Sequence, residues 1–389
     1  MPQPVAIVSV GQTKHGRRDD VSFPELVREA VQACLVDSGV GIEEIEAVVT
    51  GSMPAPEEGV EAPELWLSEA VGMGVRPRPL LRVATCGTTG MSVAQAAYYH
   101  VAAGLYDLVL AVGMEKMYQG DPQGVMTTIN DPMIQRPFLG GALVFFGLQC
   151  QEYLVASSKP ERAREAAAKI SVRSHRAALA NPYAHIKQDI ETADVLNSRI
   201  VCYPLHLLDC CPVSDGACAL LFASEKRAKQ LASVPAWVKG VGYAGDEYWI
   251  ADKHWVPWES ARTASQKAYR MAGIRKPLQE LDVAELYVPF SFMELMLYED
   301  FGLCERGRAY ELVEAGVTDK GGELPVVPSG GVLCTNPIGA TGLIRVGEAA
   351  LQVMGRAEGR QVPGAKTSLA HALGGTAQFN AVMILSQTL

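Results

Sequence analysis

Residues 24–50 read PELVREAVQACLVDSGVGIEEIEAVVT, and residues 261–287 read ARTASQKAYRMAGIRKPLQELDVAELY. In the first stretch Leu26, Ala30, Ala33 and Cys34 recur at helical spacing, Ser38-Gly39 supplies a stop, and a short acidic turn leads into an apolar strand at 47–49. The second stretch follows the same plan. Its helix ends at Ala272-Gly273, Leu278-Gln279-Glu280-Leu281-Asp282 stands where Ile42-Glu43-Glu44-Ile45-Glu46 stood, and a strand follows at 283–287. Helix–turn–strand is common, so one match of this kind carries little. The continuation carries more. Residues 80–117 run strand, small-residue turn, Ala-rich helix (91–103) and buried strand (108–112). Residues 330–355, GGVLCTNPIGATGLIRVGEAALQVMG, again give a turn, a Gly/Thr-rich bend and a helix, with a terminal strand at 381–385. The pattern predicts two similar βα-alternating lobes with strands buried on both faces, set back to back so that their turns meet. Two unrelated α/β domains remain the alternative on pattern alone.

The expected boundaries are a first lobe formed by 1–117 and 201–245, an inserted covering region at 118–200, and a second lobe at 246–389. The insertion reads as irregular and rich in Met, Pro, Gln and Asn, then helical around 161–180; loops this long in compact domains are commonly functional. Trp249, Trp255 and Trp258 sit together either at a substrate mouth or in a lobe junction.

A chain of 389 residues, 48 % hydrophobic and 20 % charged, is a globular protein large enough for two lobes. A net charge of −9 argues against nucleic acid as a partner. The N-terminus, MPQPVAIVSVGQTKHGRR, has a strand-length apolar run followed by charge, the reverse of a secretory signal, and no window has the length of a membrane span. Nine cysteines, an odd number in mostly apolar contexts, read as reduced thiols, so the expected location is cytoplasmic.

Three positions stand out for chemistry. Cys86, in Ala84-Thr85-Cys86-Gly87-Thr88-Thr89-Gly90, falls between an apolar strand and a helix, where helix amides favour thiolate and neighbouring Gly amides can form an oxyanion hole. Asn336 lies in Gly330-Gly331-Val332-Leu333-Cys334-Thr335-Asn336-Pro337-Ile338-Gly339-Ala340-Thr341-Gly342, able to donate to a thioester or enolate oxygen, although Asn-Pro also simply starts turns. His371, beside the glycines of Ala370-His371-Ala372-Leu373-Gly374-Gly375-Thr376, is suited to proton transfer if it faces a site, and is expected at the repeat-equivalent of the Cys86 bend. Asp209-Cys210-Cys211-Pro212-Val213-Ser214-Asp215-Gly216-Ala217 lacks a CxxC pair, so no metal is expected there. Walker, dinucleotide-fold and GxSxG sequences are absent.

The Cys86 bend with its Ala-rich helix, the DCCPVSDGA segment and GGVLCTNPIGATG, in that order, resemble the thiolase superfamily over essentially the whole chain, in its sterol-carrier-protein-X and lipid-transfer branch. The resemblance implies a five-layered αβαβα fold, a tight homodimer, and acyl transfer through a thioester on Cys86. Coenzyme A would be a substrate, not a resident cofactor, held near Gly339, Thr341 and Gly375. It also implies a small zinc-binding OB-fold partner protein and a bulky, possibly aromatic or steroid-derived 3-oxoacyl-CoA. Three departures bear on mechanism. Asn336 replaces the histidine of the family's GHPxGATG motif, Ala372 takes the approximate place of its second cysteine, and Tyr287-Val288-Pro289-Phe290 replaces its usual segment. His371 then becomes the acid/base candidate, with Asn336 in an oxyanion hole and Tyr287, a fourth position, adding a hydrogen bond or proton. Tyr287 also resembles the tyrosine of retro-aldolases that cleave β-hydroxyacyl-CoA esters without a nucleophilic cysteine. A non-catalytic acyl-CoA- or sterol-binding subunit is the third reading.

Overall fold

The computed structural model describes residues 2–53, 59–138, 140–249 and 255–389. Its strands are β1 (Val5–Gln12), β2 (Ala47–Gly51), β3 (Leu80–Arg82), β4 (Leu108–Lys116), β5 (Ile200–Cys202), β6 (Leu205–His206), β7 (Asp215–Ser224), β8 (Ala236–Gly245), β9 (Val283–Glu285), β10 (Thr367–Gly374) and β11 (Phe379–Ser386). The longer helices are α1 (Phe23–Ser38), α2 (Thr89–Ala102), α3 (Ala142–Ala156), α4 (Pro160–Ala178), α5 (Glu259–Ala272), α6 (Ser291–Asp300) and α7 (Ile338–Met354).

Nine strands share one sheet in the order β3-β2-β4-β7-β1-β8-β11-β10-β9. The β1–β8 junction is slight, registering only Ala6 with Trp237 and Ile7 with Ala236. On either side of it the same pattern recurs. Counting outwards, β1–β7–β4 and β8–β11–β10 are antiparallel, while β4–β2 and β10–β9 are parallel. A last parallel partner is β3 on one side and a bridge from Ala284 to Val326 on the other. The repeat read in the sequence is therefore a repeat of topology. The sheet sets its boundary before β8, not after it, because β8 pairs along its length with β11.

Alternation along the strands shows how the layers stack. Ala6 and Val8 of β1 join a core with Leu26, Val27 and Ala30 of α1, while Val5 and Ile7 join the one containing α2 and α7. Strands β4 and β7 are buried along their whole length, as expected of strands covered on both faces. Helix α1 starts with a capping box between Ser22 and Glu25, and both α1 and its counterpart α5 end on a left-handed glycine, Gly39 or Gly273. Every residue of α7 is buried, which places that helix in the middle of the molecule against α2. The two central helices meet backbone to backbone. A Cβ on Gly90 would lie 2.3 Å from the Leu343 nitrogen, and one on Gly342 would lie 2.6 Å from the Met91 nitrogen.

In the covering region, α4 spans the stretch expected to be helical, but α3 is an additional helix. Its sequence, ALVFFGLQCQEYLVA, is apolar nearly all round and so shows no one-sided stripe. No helix among the described residues is long and apolar enough to cross a membrane.

Gly90→Ala should lower the unfolding free energy by about 1–3 kcal/mol in a denaturant titration, although Ala is the better helix former. Gly321→Ala, which meets nothing within 4 Å, should change it by less than about 0.5 kcal/mol.

Candidate active site

The loop before α2 and the loop before α7 occupy equivalent places in the two halves, and the close helix contact brings them together. Cys86 is on the first loop and Asn336 on the second. Cys86 has a φ of 54°, in the left-handed region that a side chain with a Cβ rarely adopts. Holding it there costs on the order of 1–2 kcal/mol, and the surrounding bend is tied down accordingly. The Thr85 N–H donates to Thr89 Oγ1 at 2.9 Å, Thr88 Oγ1 to the Thr85 carbonyl at 2.5 Å, and the Thr89 N–H to the Cys86 carbonyl at 3.0 Å. Burial pushes the Cys86 thiol up, while the Gly375 N–H aimed at its sulfur pulls in the opposite direction.

The second loop is fastened from below. A buried ion pair joins Arg345 to Glu285, and Ser329 lies between them, its Oγ 2.8 Å from Glu285 Oε2 and 2.7 Å from Arg345 Nη1. The Asn336 N–H donates to Ser214 Oγ at 3.1 Å, and Asn336 Oδ1 accepts from Thr341 Oγ1 at 2.9 Å and from the Tyr287 hydroxyl at 3.2 Å. Asn336 Nδ2 donates to Cys211 Sγ at 3.2 Å. Thr341 therefore orients Asn336, and the Gly339 N–H is taken by Glu115 Oε2 at 3.1 Å.

Cys86, Tyr287, Asn336 and Gly375 line one cavity of about 240 Å³. Its remaining walls are mainly apolar, with Phe146 against Phe290 at 5.1 Å and Phe145 stacked on Trp255 at 6.0 Å between ring centroids. Trp258 is buried, and Trp249 lies exposed outside that wall. A second, smaller space of about 110 Å³, lined by Asp246, Tyr248 and Phe379, shares Cys86, Gly375 and Thr376 with the first. The sulfur thus stands where two spaces meet.

Gly339 and Thr341 are not on the cavity surface, and neither is His371. His371 lies within β10, the counterpart of β4, and the repeat-equivalent of the Cys86 bend is the Asn336 loop. Its Nε2 pairs with Asn380 Oδ1 at 2.9 Å, and its ring meets Phe301 edge-on at 5.2 Å. Burial lowers its pKa to about 4. The expectation that it moves protons in the site is corrected: its side chain is buried in the core, further back along the chain than Leu373, Gly374, Gly375 and Thr376, which line the cavity. What the sequence reading missed is Cys210 and Cys211. Both line the cavity, because Cys210 bridges to Phe290 and the Cys211 N–H donates to the Pro289 carbonyl at 2.9 Å. Their place inside the DCCPVSDGA segment, which carries part of the thiolase resemblance, was the available signal.

With this geometry in view, comparison with known proteins decides the family. The thiolase N-terminal domain profile matches residues 5–226, and the thiolase C-terminal domain-like profile matches 242–387. The chain belongs to the thiolase family. It is 31 % identical to an acetyl-CoA acetyltransferase of Methanothermobacter thermautotrophicus, over 98 % of this chain and 99 % of that one. It is also 31 % identical to sterol carrier protein 2 of Gallus gallus, over 95 % of this chain and 70 % of that protein. Among solved structures, the Ltp2-ChsH2(DUF35) aldolase superposes with a TM-score of 0.82 at 26 % identity, covering 99 % of this chain and 98 % of that one.

Two outcomes follow from the site. Because glycine tolerates the Cys86 backbone and alanine does not, Cys86→Gly should unfold at a free energy about 0.5–1 kcal/mol higher than Cys86→Ala. The folded-state pKa of His371 is depressed from 6.5 to about 4. Its contribution to stability is complete above the unfolded value and is lost as pH falls towards the folded one. Urea midpoints taken from pH 7 to pH 4 should therefore fall less steeply for His371→Gln than for wild type.

Proposed function

We propose that this thiolase-family acyltransferase cleaves a bulky, ring-bearing or branched 3-oxoacyl-CoA with coenzyme A, through a thioester on Cys86. The observation that carries this reading is the strained Cys86 backbone, held with the sulfur facing the Gly375 N–H at the meeting of two spaces. A structural cysteine needs no such conformation, whereas a nucleophile that must approach a carbonyl from a tight bend does.

In this scheme the aromatic-walled cavity takes the acyl group, and the smaller space takes the thioester arm of CoA. Cys86 sulfur attacks the 3-oxo carbon, and the Gly375 N–H, already directed at the sulfur, is placed to stabilise the resulting oxyanion. The bond between C2 and C3 breaks, leaving the acyl group on Cys86 and an enolate of the departing acyl-CoA beside Asn336. A second CoA thiol then releases the acyl group. A homodimer and a small zinc-binding OB-fold partner belong to the same proposal. The partner is supported by the similarity to an aldolase solved as a complex with a DUF35 protein.

One observation favours a second reading, retro-aldol cleavage of a β-hydroxyacyl-CoA. No imidazole lines the cavity among the described residues, whereas the Tyr287 hydroxyl lies beside it, about 3.3 Å from where a Cβ on Gly87 would be. Intact-protein mass after mixing with a panel of acyl-CoA and 3-oxoacyl-CoA esters separates the two. An acyl adduct on wild type, absent from Cys86→Ala and discharged by CoA, is expected, together with a loss of thiolysis of at least about 10³-fold in the variant. Cleavage of β-hydroxyacyl-CoA that survives Cys86→Ala, without any adduct, would replace thiolysis by the retro-aldol reaction.

A further inference from the structure

Either reaction leaves an enolate that must gain a proton at C2, and the histidine expected to supply it is in the core. We propose that the Cys211 thiol is the catalytic acid/base that protonates this carbon. The inference rests on the reading that the cavity cleaves the C2–C3 bond of an acyl-CoA by thiolysis.

The titratable side chains lining the cavity among the described residues are Cys86, Cys210, Cys211 and Tyr287. Cys86 is the proposed nucleophile. Cys210 Sγ is directed at the His206 carbonyl, 3.3 Å away. The Tyr287 hydroxyl donates to Asn336 Oδ1, and burial pushes its pKa far above the ordinary phenol value. Cys211 differs from these in what surrounds it. Its sulfur accepts from Asn336 Nδ2, a hydrogen bond that strengthens when the sulfur becomes an anion, so the group left after proton donation is already provided for. Asn336 is in turn fixed by Thr341 and Tyr287. Burial pushes the Cys211 thiol up to about 11, so it carries its proton at neutral pH and is better matched than the phenol to a carbon acid.

The balance closes over one thiolytic turnover. Cys211 S–H gives its proton to C2 of the enolate and becomes thiolate. That thiolate then removes the proton of the incoming CoA thiol, CoA sulfur attacks the Cys86 thioester, and Cys86 leaves as thiolate.

The test is hydrogen–deuterium exchange at C2 of acetyl-CoA and propionyl-CoA in D2O, followed by mass spectrometry on the full chain. Wild type should exchange. Cys211→Ala and Cys211→Ser should each lose at least about 10²-fold, while iodoacetamide still labels Cys86 at the wild-type rate. Exchange unchanged in either Cys211 variant, or absent from wild type, overturns the proposal. Rescue by Ser overturns it as well, since a hydroxyl replaces the hydrogen bond to Asn336 but not the thiol acidity. So does loss of Cys86 labelling along with exchange, which marks a structural role. The Cys86 adduct reports on the thiolase reading alone, so the two ideas fail separately.

Discussion

Much of this protein follows from how closely two helices approach. Side chains at Gly90 and Gly342 would push α2 and α7 apart, and their absence lets the two backbones touch in the middle of the molecule. Each helix is preceded by a bend that carries a polar group, so the distance between helices sets the distance between Cys86 and Asn336. A displacement of even 1 Å would change the hydrogen bonds that link Asn336, Tyr287 and Cys211, whose geometry tolerates only a few tenths of an ångström. Packing in the central layer and chemistry in the cavity are thus one constraint.

The second half supports its bend with charge, where the first uses hydroxyls. Glu285 and Arg345 are both buried and share Ser329, which opens the loop leading to Asn336. A second buried pair, Glu348 with Arg360, lies further along α7 and also engages Gln12 of β1. Such pairs gain little net stability over apolar packing, but removing one partner leaves an uncompensated charge. Their effect here is to fix one arrangement of a helix that is otherwise buried on every side. The cavity itself shows the opposite choice: none of the described residues lining it is charged.

The architecture was largely legible because helical and strand periods recur in the same order in both halves, and the sheet preserves that order down to the sense of each strand pair. Cys86 was legible too, since small residues on both sides of a cysteine at a strand-to-helix bend have few other uses. Helix α3 was not, because a segment apolar nearly all round has no amphipathic signal. His371 misled for a local reason. It stands three residues before glycines that do reach the cavity, Gly374 and Gly375, far enough back along the strand that its side chain is buried in the core. Cys211 could not be placed from spacing, because its position depends on pairing with residues 289–290, nearly eighty positions later in the chain.

The Gly375 N–H that faces the Cys86 sulfur lies 289 residues further along the chain. During synthesis, the bend bearing Cys86 leaves the ribosome long before the strand that faces it. A nascent chain that stops short of the second half therefore carries a cysteine with no opposing amide and no second bend.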